Sequence, residues 1–162
     1  MKKKFVKNVT LENARILPGQ FKNFSGEKDK YNPQGRREFC IVLDTETADA
    51  LVEEGWNVKQ LDPRDDDEAP TPYIKACIRF DNIPPTIYMV TGKNNKKTLL
   101  TEETIGNLDY VQIEYADIIL SPYCWEMETK DGVNSGIKAY VKTMYVKVEE
   151  DDLAAKYADY DE

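Results

Sequence analysis

The sequence FKNFSGEKDKYNPQGRREFCIVLD, residues 21–44, decides how the rest of the chain is interpreted. Its first part interleaves aromatic and cationic residues, and its last part, residues 39–43, is an apolar run typical of a buried strand. Between these parts, Ser-Gly at 25–26 and Asn-Pro-Gln-Gly at 32–35 have the composition of turns. The stretch therefore predicts a loop, rich in rings and positive charge, that leads directly into a core strand.

This loop carries the residue types that a single-stranded nucleic acid site needs, namely rings that stack on bases and cations that contact phosphates. The alternative is that the rings cover the core of the domain and that the loop is an ordinary solvated one. Residue types alone leave both interpretations open. The candidate nucleic-acid-binding residues of the loop are Lys22, Phe24, Lys28, Lys30, Tyr31, Arg36 and Arg37.

Two later segments also combine rings and cations on one face of a predicted strand. Residues 73–80 alternate in polarity, so every second side chain from Ile74 to Phe80 is expected to face the core. An ordinary solvated face is the alternative for the opposite side. The candidate residues on these opposite faces are Tyr73, Lys75 and Arg79 in this strand, and Lys138, Tyr140 and Lys142 in the last strand.

The last strand contains a conflict in its alternation. Met144, Val146 and Val148 fall on the same side as Lys138, although they are apolar. Either the strand bulges near Thr143, or its cationic face becomes buried in its second half. The sequence leaves both options open.

The order of the segments predicts a mainly β domain, an OB-fold-like five-stranded barrel with an added hairpin and two short helices. The hairpin is expected at 87–100, with Lys93, Lys96 and Lys97 at its tip. The expected strands are 5–17, 37–43, 73–80, 110–120 and 137–148. The expected helices are 46–54, capped by Asp44 or Thr45 and ended by Gly55, and 102–107, capped by Thr101. The apolar stripe of the first helix is expected to comprise Ala48, Leu51 and Val52.

The net charge of −8 is unevenly distributed along the 162 residues. Residues 1–43 hold ten Lys and Arg against four Asp and Glu, whereas residues 44–72 hold two against ten and residues 149–162 one against seven. The acidity thus belongs to an insertion and a tail. We predict one nucleic-acid-binding domain, 1–148, which includes an inserted helix and acidic loop at 45–72, and an acidic C-terminal tail, 149–162.

Several function classes lack their signals. The chain has no histidine, no phosphate-binding loop of the Walker type and no serine nucleophile elbow, so we expect no enzyme activity and no cofactor. The acids at 65–68 would hold a metal only if the fold made them converge, and a solvated loop is the favoured interpretation. The three cysteines lack metal-ligand spacing, and no apolar stretch approaches the roughly 20 residues that span a bilayer. We therefore expect a cytoplasmic protein with reduced thiols.

The tail combines strong negative charge with three large apolar residues. It is either a solubilising extension or an acidic arm that competes with nucleic acid for the basic surface and docks a partner protein. The candidate docking residues are Leu153, Tyr157 and Tyr160.

Four segments together resemble the single-stranded DNA-binding proteins encoded by bacteriophages: NARI at 13–16, the stretch 21–44, GWNVKQLDPRDDDEAPTPYI at 55–74 and GIKAYVKTMYVKVEEDD at 136–152. In that family an oligonucleotide-binding barrel precedes an acidic tail. The resemblance implies a protein that coats single-stranded DNA without sequence specificity during phage replication and recombination in the bacterial cytoplasm, with phage replication or recombination proteins as partners of the tail. Several relatives end in Phe, whereas this chain ends in Tyr-Asp-Glu.

One alternative from another class is an acidic regulator that mimics nucleic acid and binds a host enzyme. It makes use of the overall negative charge but leaves the basic loop unexplained.

Overall fold

The computed structural model of the chain describes residues 6–17, 21–28, 30, 32–33, 35–61, 70–81 and 83–149. Tyr31, the acids at 65–68 and the three candidate docking residues of the tail lie outside the described residues.

Strands dominate the described part of the chain, with one α-helix and one 3₁₀ helix between them. The strands are β1 (Val9–Ile16), β2 (Lys22–Asn23), β3 (Arg37–Val42), β4 (Val58–Leu61), β5 (Thr71–Ile78), β6 (Thr86–Thr91), β7 (Lys96–Leu100), β8 (Ile113–Thr129) and β9 (Gly132–Val148). Helix α1 spans Thr45–Glu54, and the 3₁₀ helix spans Ile105–Asp109.

Five of these strands pair in a closed ring of hydrogen bonds. β1 pairs with β3 and β8, β3 with β5, and β8 with β9, all antiparallel, and β5 closes the ring by pairing in parallel with β9. The β6–β7 hairpin is added to β9 beyond the ring. The prediction of a mainly β, OB-fold-like domain with an added hairpin is confirmed.

The core lies inside this ring and follows the predicted alternation of β5. Ile74, Ala76 and Ile78 are buried, and Phe80, beyond the end of the strand, is half-buried against the core. In β1 the alternation changes phase at Asn13, whose positive φ of 52° lets both Leu11 and Ala14 face inward.

A bulge resolves the conflict in the last strand. Ile119 pairs with Thr143 but Leu120 pairs with Val141, so Lys142 has no register partner on β8. As a result Val141 and Met144 both face the core. The bulge was one of the two options left open by the sequence, and the structure has it at Lys142.

Helix α1 has the predicted ends. The carboxylate of Asp44 accepts a hydrogen bond from the Thr47 N–H at 2.7 Å, which lowers the pKa of Asp44, and Gly55 ends the helix with φ 102°. The apolar stripe was predicted too wide, because Val52 is 56% exposed. In the described part of the chain, no helix has the length and apolar character needed to cross a membrane.

The second predicted helix is different in type and position. A turn precedes it, in which the Thr104 hydroxyl accepts a hydrogen bond from the Thr101 N–H at 2.7 Å, so the helix begins at Ile105. Its 3₁₀ geometry aligns side chains three residues apart, and Ile105 and Leu108 are accordingly both fully buried.

The connection predicted at 121–136 is instead part of the sheet. β8 and β9 are each 17 residues long and stay paired up to a turn before Gly132. The prediction was wrong, because large residues alternate with polar or small ones through 122–129, and this period of two is typical of a strand. The outer part of this pair, residues 121–138, is called the β8–β9 arm below.

Phe24 belongs to the core and not to an exposed ring surface. It is fully buried, and its ring stacks on Phe39 with 4.9 Å between the centroids. Of the two interpretations of the loop rings, the structure has the core-covering one for Phe24.

We expect Phe24→Ala to lower the free energy of unfolding by about 3–5 kcal/mol, because it removes a buried ring and leaves a cavity. Chemical denaturation measures this loss. The control is Tyr110→Ala, at a residue 82% exposed, which is expected to change stability by less than about 0.5 kcal/mol. Similar stabilities of the two variants would contradict the assignment of Phe24 to the core.

Candidate nucleic-acid interface

The loop between β1 and β3 is fixed to the body at its start. The Asp109 carboxylate accepts hydrogen bonds from the backbone N–H groups of Phe24 and Ser25, at 2.7 and 2.9 Å. The Lys22 ammonium donates to the carbonyl oxygens of Leu108 and Val111, both at 2.8 Å. Burial lowers the pKa of Lys22, and the nearby Asp109 opposes this shift. Lys22 therefore holds the base of the loop.

Inside the loop, two segments approach each other closely. Gly26 and Gly35 both have positive φ, and a Cβ added to either would lie 3.0 Å from the carbonyl oxygen of the other. Asn23 adds a side-chain turn, since its Oδ1 accepts hydrogen bonds from the backbone N–H groups of Gly26 and Glu27. The loop thus has a defined shape where it enters β3 with Arg36 and Arg37.

Three neighbouring strands then build a groove of about 430 Å³ on the outside of the ring. Its position follows from the strand register, because Cys77 of β5 pairs with Glu38 of β3 on one side and Tyr140 of β9 on the other. Side chains on paired residues point to the same face of a sheet. The predicted site residues that line this groove are Arg36, Arg37, Arg79, Lys138 and Tyr140, and Lys75 lines a smaller neighbouring pocket with Arg36 and Lys138.

Four cations in and beside the groove already have carboxylate partners. The ion pairs are Lys75–Glu38 at 3.2 Å, Arg36–Glu38 at 4.0 Å, Arg37–Glu102 at 3.8 Å and Arg79–Asp81 at 2.7 Å. Exposed pairs of this kind contribute only about 0–1 kcal/mol to stability. Because they are weak, these cations can exchange a carboxylate for a phosphate.

The pKa shifts in the groove reflect these pairs. Hydrogen bonds to Asp81 and then Tyr140 raise the pKa of Arg79, and the bond from Arg79 lowers that of Asp81. Burial works to lower the pKa of Lys75, but Glu38 outweighs it and the net shift is upward. All three groups therefore remain charged at neutral pH.

Rings continue the groove along the β8–β9 arm. The Lys138 ammonium lies 5.5 Å from the Tyr140 ring centroid, and Tyr123 meets the same ring edge-to-face at 6.1 Å. Trp125 packs closely against Gly136, where an added Cβ would be 2.8 Å from the indole. Tyr123 and Trp125 are 58% and 37% exposed, so both can accept a stacked base.

Sequence reasoning missed Tyr123 and Trp125. Their signal was the alternation of Tyr123, Trp125 and Met127 with polar or small residues, which places the three on one face of a strand.

The remaining predicted residues lie apart from the groove. Tyr73 lies near the other end of β5, where it pairs with Lys59 of β4. Its ring meets the Phe21 ring edge-to-face, with 6.4 Å between the centroids. Lys28 packs its side chain near Gly35 within the loop, Lys30 is exposed, and Lys142 is exposed at the bulge.

The cysteines nearest the groove are buried. Burial raises the pKa of the Cys77 thiol, at the groove, and of Cys40 on the adjacent strand, so both stay protonated near neutral pH. In the described residues, no group of three or more Cys, Asp or Glu could hold a metal ion.

Comparison with known proteins gives a family and a fold. Residues 1–162 match a family model described as "Putative phage ssDNA-binding domain". No curated protein sequence matches the chain.

Three solved structures with a similar fold are of the single-stranded DNA-binding protein from bacteriophage Enc34. The intact protein has a TM-score of 0.50 at 11% identity, over 89% of this chain and 82% of that one. Its C-terminal truncation has 0.52 at 12%, over 89% and 87%, and its complex with ssDNA has 0.50 at 10%, over 89% and 88%. At such low identity, the similarity is one of fold.

We expect Asp81→Asn to tighten the binding of single-stranded DNA at low salt by roughly twofold to fivefold, because Arg79 loses a competitor and phosphates lose a repelling charge. Fluorescence anisotropy with a labelled oligonucleotide measures the change. Asp131→Asn, in the turn of the β8–β9 arm, makes the same change in net charge away from the groove. Equal effects of the two variants would show that the Arg79–Asp81 pair does not govern binding.

Proposed function

This chain belongs to the phage single-stranded DNA-binding domain family, and on that premise we propose that it coats single-stranded DNA without sequence preference. The groove carries the proposal, because cations from the loop, β5 and β9 meet there beside Tyr140. In OB folds, the face of the second and third strands and the loops next to them form the usual oligonucleotide site. Here those elements are β3, β5, the anchored loop and the β8–β9 arm.

Binding would proceed by exchange of partners. Phosphates replace Glu38, Glu102 and Asp81 on the groove cations, and the displaced carboxylates return to water. Bases stack on Tyr123, Trp125 and Tyr140 in the same step. Phosphate contacts carry no sequence information, and every base offers a face for stacking, so the predicted lack of sequence preference follows.

The site residues divide into two groups by their surroundings. We propose that the groove residues with Tyr123 and Trp125 contact DNA, and that Lys22 and Phe24 act indirectly by holding the loop. Lys28, Lys30, Tyr31, Tyr73 and Lys142 stay predictions as flanking contacts.

In the cell, we infer a non-catalytic role in phage DNA replication and recombination in the host cytoplasm. The fold similarity to a protein solved in complex with ssDNA supports the binding step. The alternative of an acidic nucleic-acid mimic gives the groove cations no role.

To test the function, we expect the intact protein to bind oligonucleotides of different sequence with similar affinity, and with an affinity that falls steeply as salt rises. Trp125→Ala is expected to weaken binding by about 1–3 kcal/mol through the loss of one stacked base. Titrations at several salt concentrations measure both effects, and thermal melting checks the fold.

Val133→Ala is the control, since Val133 is 54% exposed on the opposite face of the same arm. If the intact protein failed to bind, or bound with no dependence on salt, the proposed function would be wrong. If Trp125→Ala behaved like the control, the role of that ring would be wrong.

The acidic tail is proposed as a separate segment that competes with DNA for the groove and docks replication or recombination proteins through Leu153, Tyr157 and Tyr160. The Glu149 N–H donates to the Gln112 carbonyl at 2.8 Å, so a deletion that tests the tail is placed beyond this residue. Deletion after Asp152 spares that bond and removes the three candidate docking residues, together with three of the seven acids and Lys156. We expect the deletion to tighten DNA binding at low salt and to lose this gain as salt screens the charges. Unchanged affinity at low salt would leave the tail as a solubilising extension.

A further inference from the structure

A second surface of rings and cations lies on the β6–β7 hairpin and the adjoining part of β9. Tyr88 and Tyr145 are register partners on β6 and β9, and their rings stack with 5.3 Å between centroids and 11° between planes. The ammonium of Lys97 on β7 lies 5.6 Å from the Tyr145 ring centroid. Lys93 and Lys96 are exposed in and beside the turn of the hairpin. Lys96 pairs with Thr91 and points to the other face of the hairpin from Lys97. The other four residues, Tyr88, Lys93, Lys97 and Tyr145, are called the hairpin surface.

The turn that carries the lysines is fixed to the body of the domain. Lys147 of β9 donates one hydrogen bond to the Gly92 carbonyl at 2.6 Å and another to Oδ1 of Asn95 at 2.9 Å. Asn95 itself has a positive φ of 54°, a backbone conformation that residues other than glycine rarely adopt. Together with the two bonds from Lys147, it gives the turn a defined conformation. The lysines beside it are therefore held close to the tyrosine pair.

The hairpin surface also differs from the groove in its charges. Residues 86–100 include three lysines and no Asp or Glu, in a chain whose net charge is −8. Within the described residues, four cations in and beside the groove form ion pairs, whereas Lys138 of the groove and Lys93 and Lys97 of the hairpin surface form none. A phosphate can thus reach these lysines without displacing one of the described carboxylates.

The groove and the hairpin surface lie along the same strand. β8 pairs with one edge of β9, and β5 and then β6 pair in parallel with the other edge, at Ala139–Tyr140 and at Thr143–Lys147. The bulge at Lys142 changes the phase of β9, so Tyr145 faces outward as Tyr140 does. At about 3.3 Å per residue the two tyrosines are roughly 16 Å apart, with the exposed Lys142 between them.

We propose that the single strand bound in the groove continues along the outside of β9, and that the hairpin surface binds its next segment. Lys93 and Lys97 contact phosphates, and the Tyr88–Tyr145 pair offers its outer edge to a base. The proposal rests on the proposed function and adds a second subsite to it. The occupant is DNA because rings and cations alternate along a path continuous with the groove, as a single strand requires.

The test compares Lys93→Gln/Lys97→Gln with a control of equal charge, Lys7→Gln/Lys59→Gln, whose residues are exposed but lie before β1 and on β4. Each variant is titrated with a short oligothymidylate of about 5 nucleotides, which fills the groove, and a long one of about 16 nucleotides, which reaches the hairpin. We expect the hairpin variant to bind the long oligonucleotide about tenfold more weakly, with a salt slope lower by about 1.4 for two lost phosphate contacts. Its affinity for the short oligonucleotide should match that of the control.

A photoreactive base at either end of the long oligonucleotide gives a second readout that does not depend on affinity. With one of the two placements, we expect a cross-link to the hairpin, residues 86–100, or to Tyr145, and none from the short oligonucleotide. Equal losses on both lengths, or cross-links only outside the hairpin, would overturn the proposal, as would a hairpin that captures a protein partner but no DNA. If the intact protein bound neither oligonucleotide, the proposed function itself would fail. If the hairpin variant bound the long oligonucleotide as tightly as the intact protein does, only the proposal of a second subsite would be wrong.

Discussion

The parallel pairing between β5 and β9 is the interaction on which both the fold and the groove depend. At this contact Ala76 lies opposite Ala139, and both are almost completely buried. Two small side chains face the core here, where the two strands close the ring. The neighbouring pair, Cys77 and Tyr140, points outward and joins the cations of β5 to those of β9. One closing contact thus builds the core on one face and the groove on the other.

The groove is preorganised in position but not in charge. Asp109 and Lys22 fix the loop to the segment around the 3₁₀ helix, so Arg36 and Arg37 enter β3 at a defined place. Four of the cations, all except Lys138, are paired with Glu38, Glu102 or Asp81 in the free protein. Such an arrangement reduces the repulsion among clustered cations, which would otherwise destabilise the domain, and makes each DNA contact an exchange between two anions.

The overall negative charge is compatible with this surface because charge acts over short distances in salt. Screening reduces interactions beyond about 8 Å at physiological ionic strength. None of the acids of α1 lines the groove or its smaller neighbouring pocket. A strand of DNA therefore responds mainly to the local cations, and the sum over the chain says little about what it binds.

Local signals in the sequence determined the elements whose stability is local. The alternation of β5 and the two ends of α1, Asp44 and Gly55, could be predicted because each depends on residues within a few positions of one another. Tertiary structure alone decided that Phe24 stacks on Phe39, that Lys142 occupies a bulge, and that Tyr123 and Trp125 continue the groove. A period of two assigns side chains to the two faces of a strand but does not identify its neighbours. The partners of β9 lie far away in the chain, and their register is set by how the whole core packs, so the grouping of residues into one site could be known only from the folded ring.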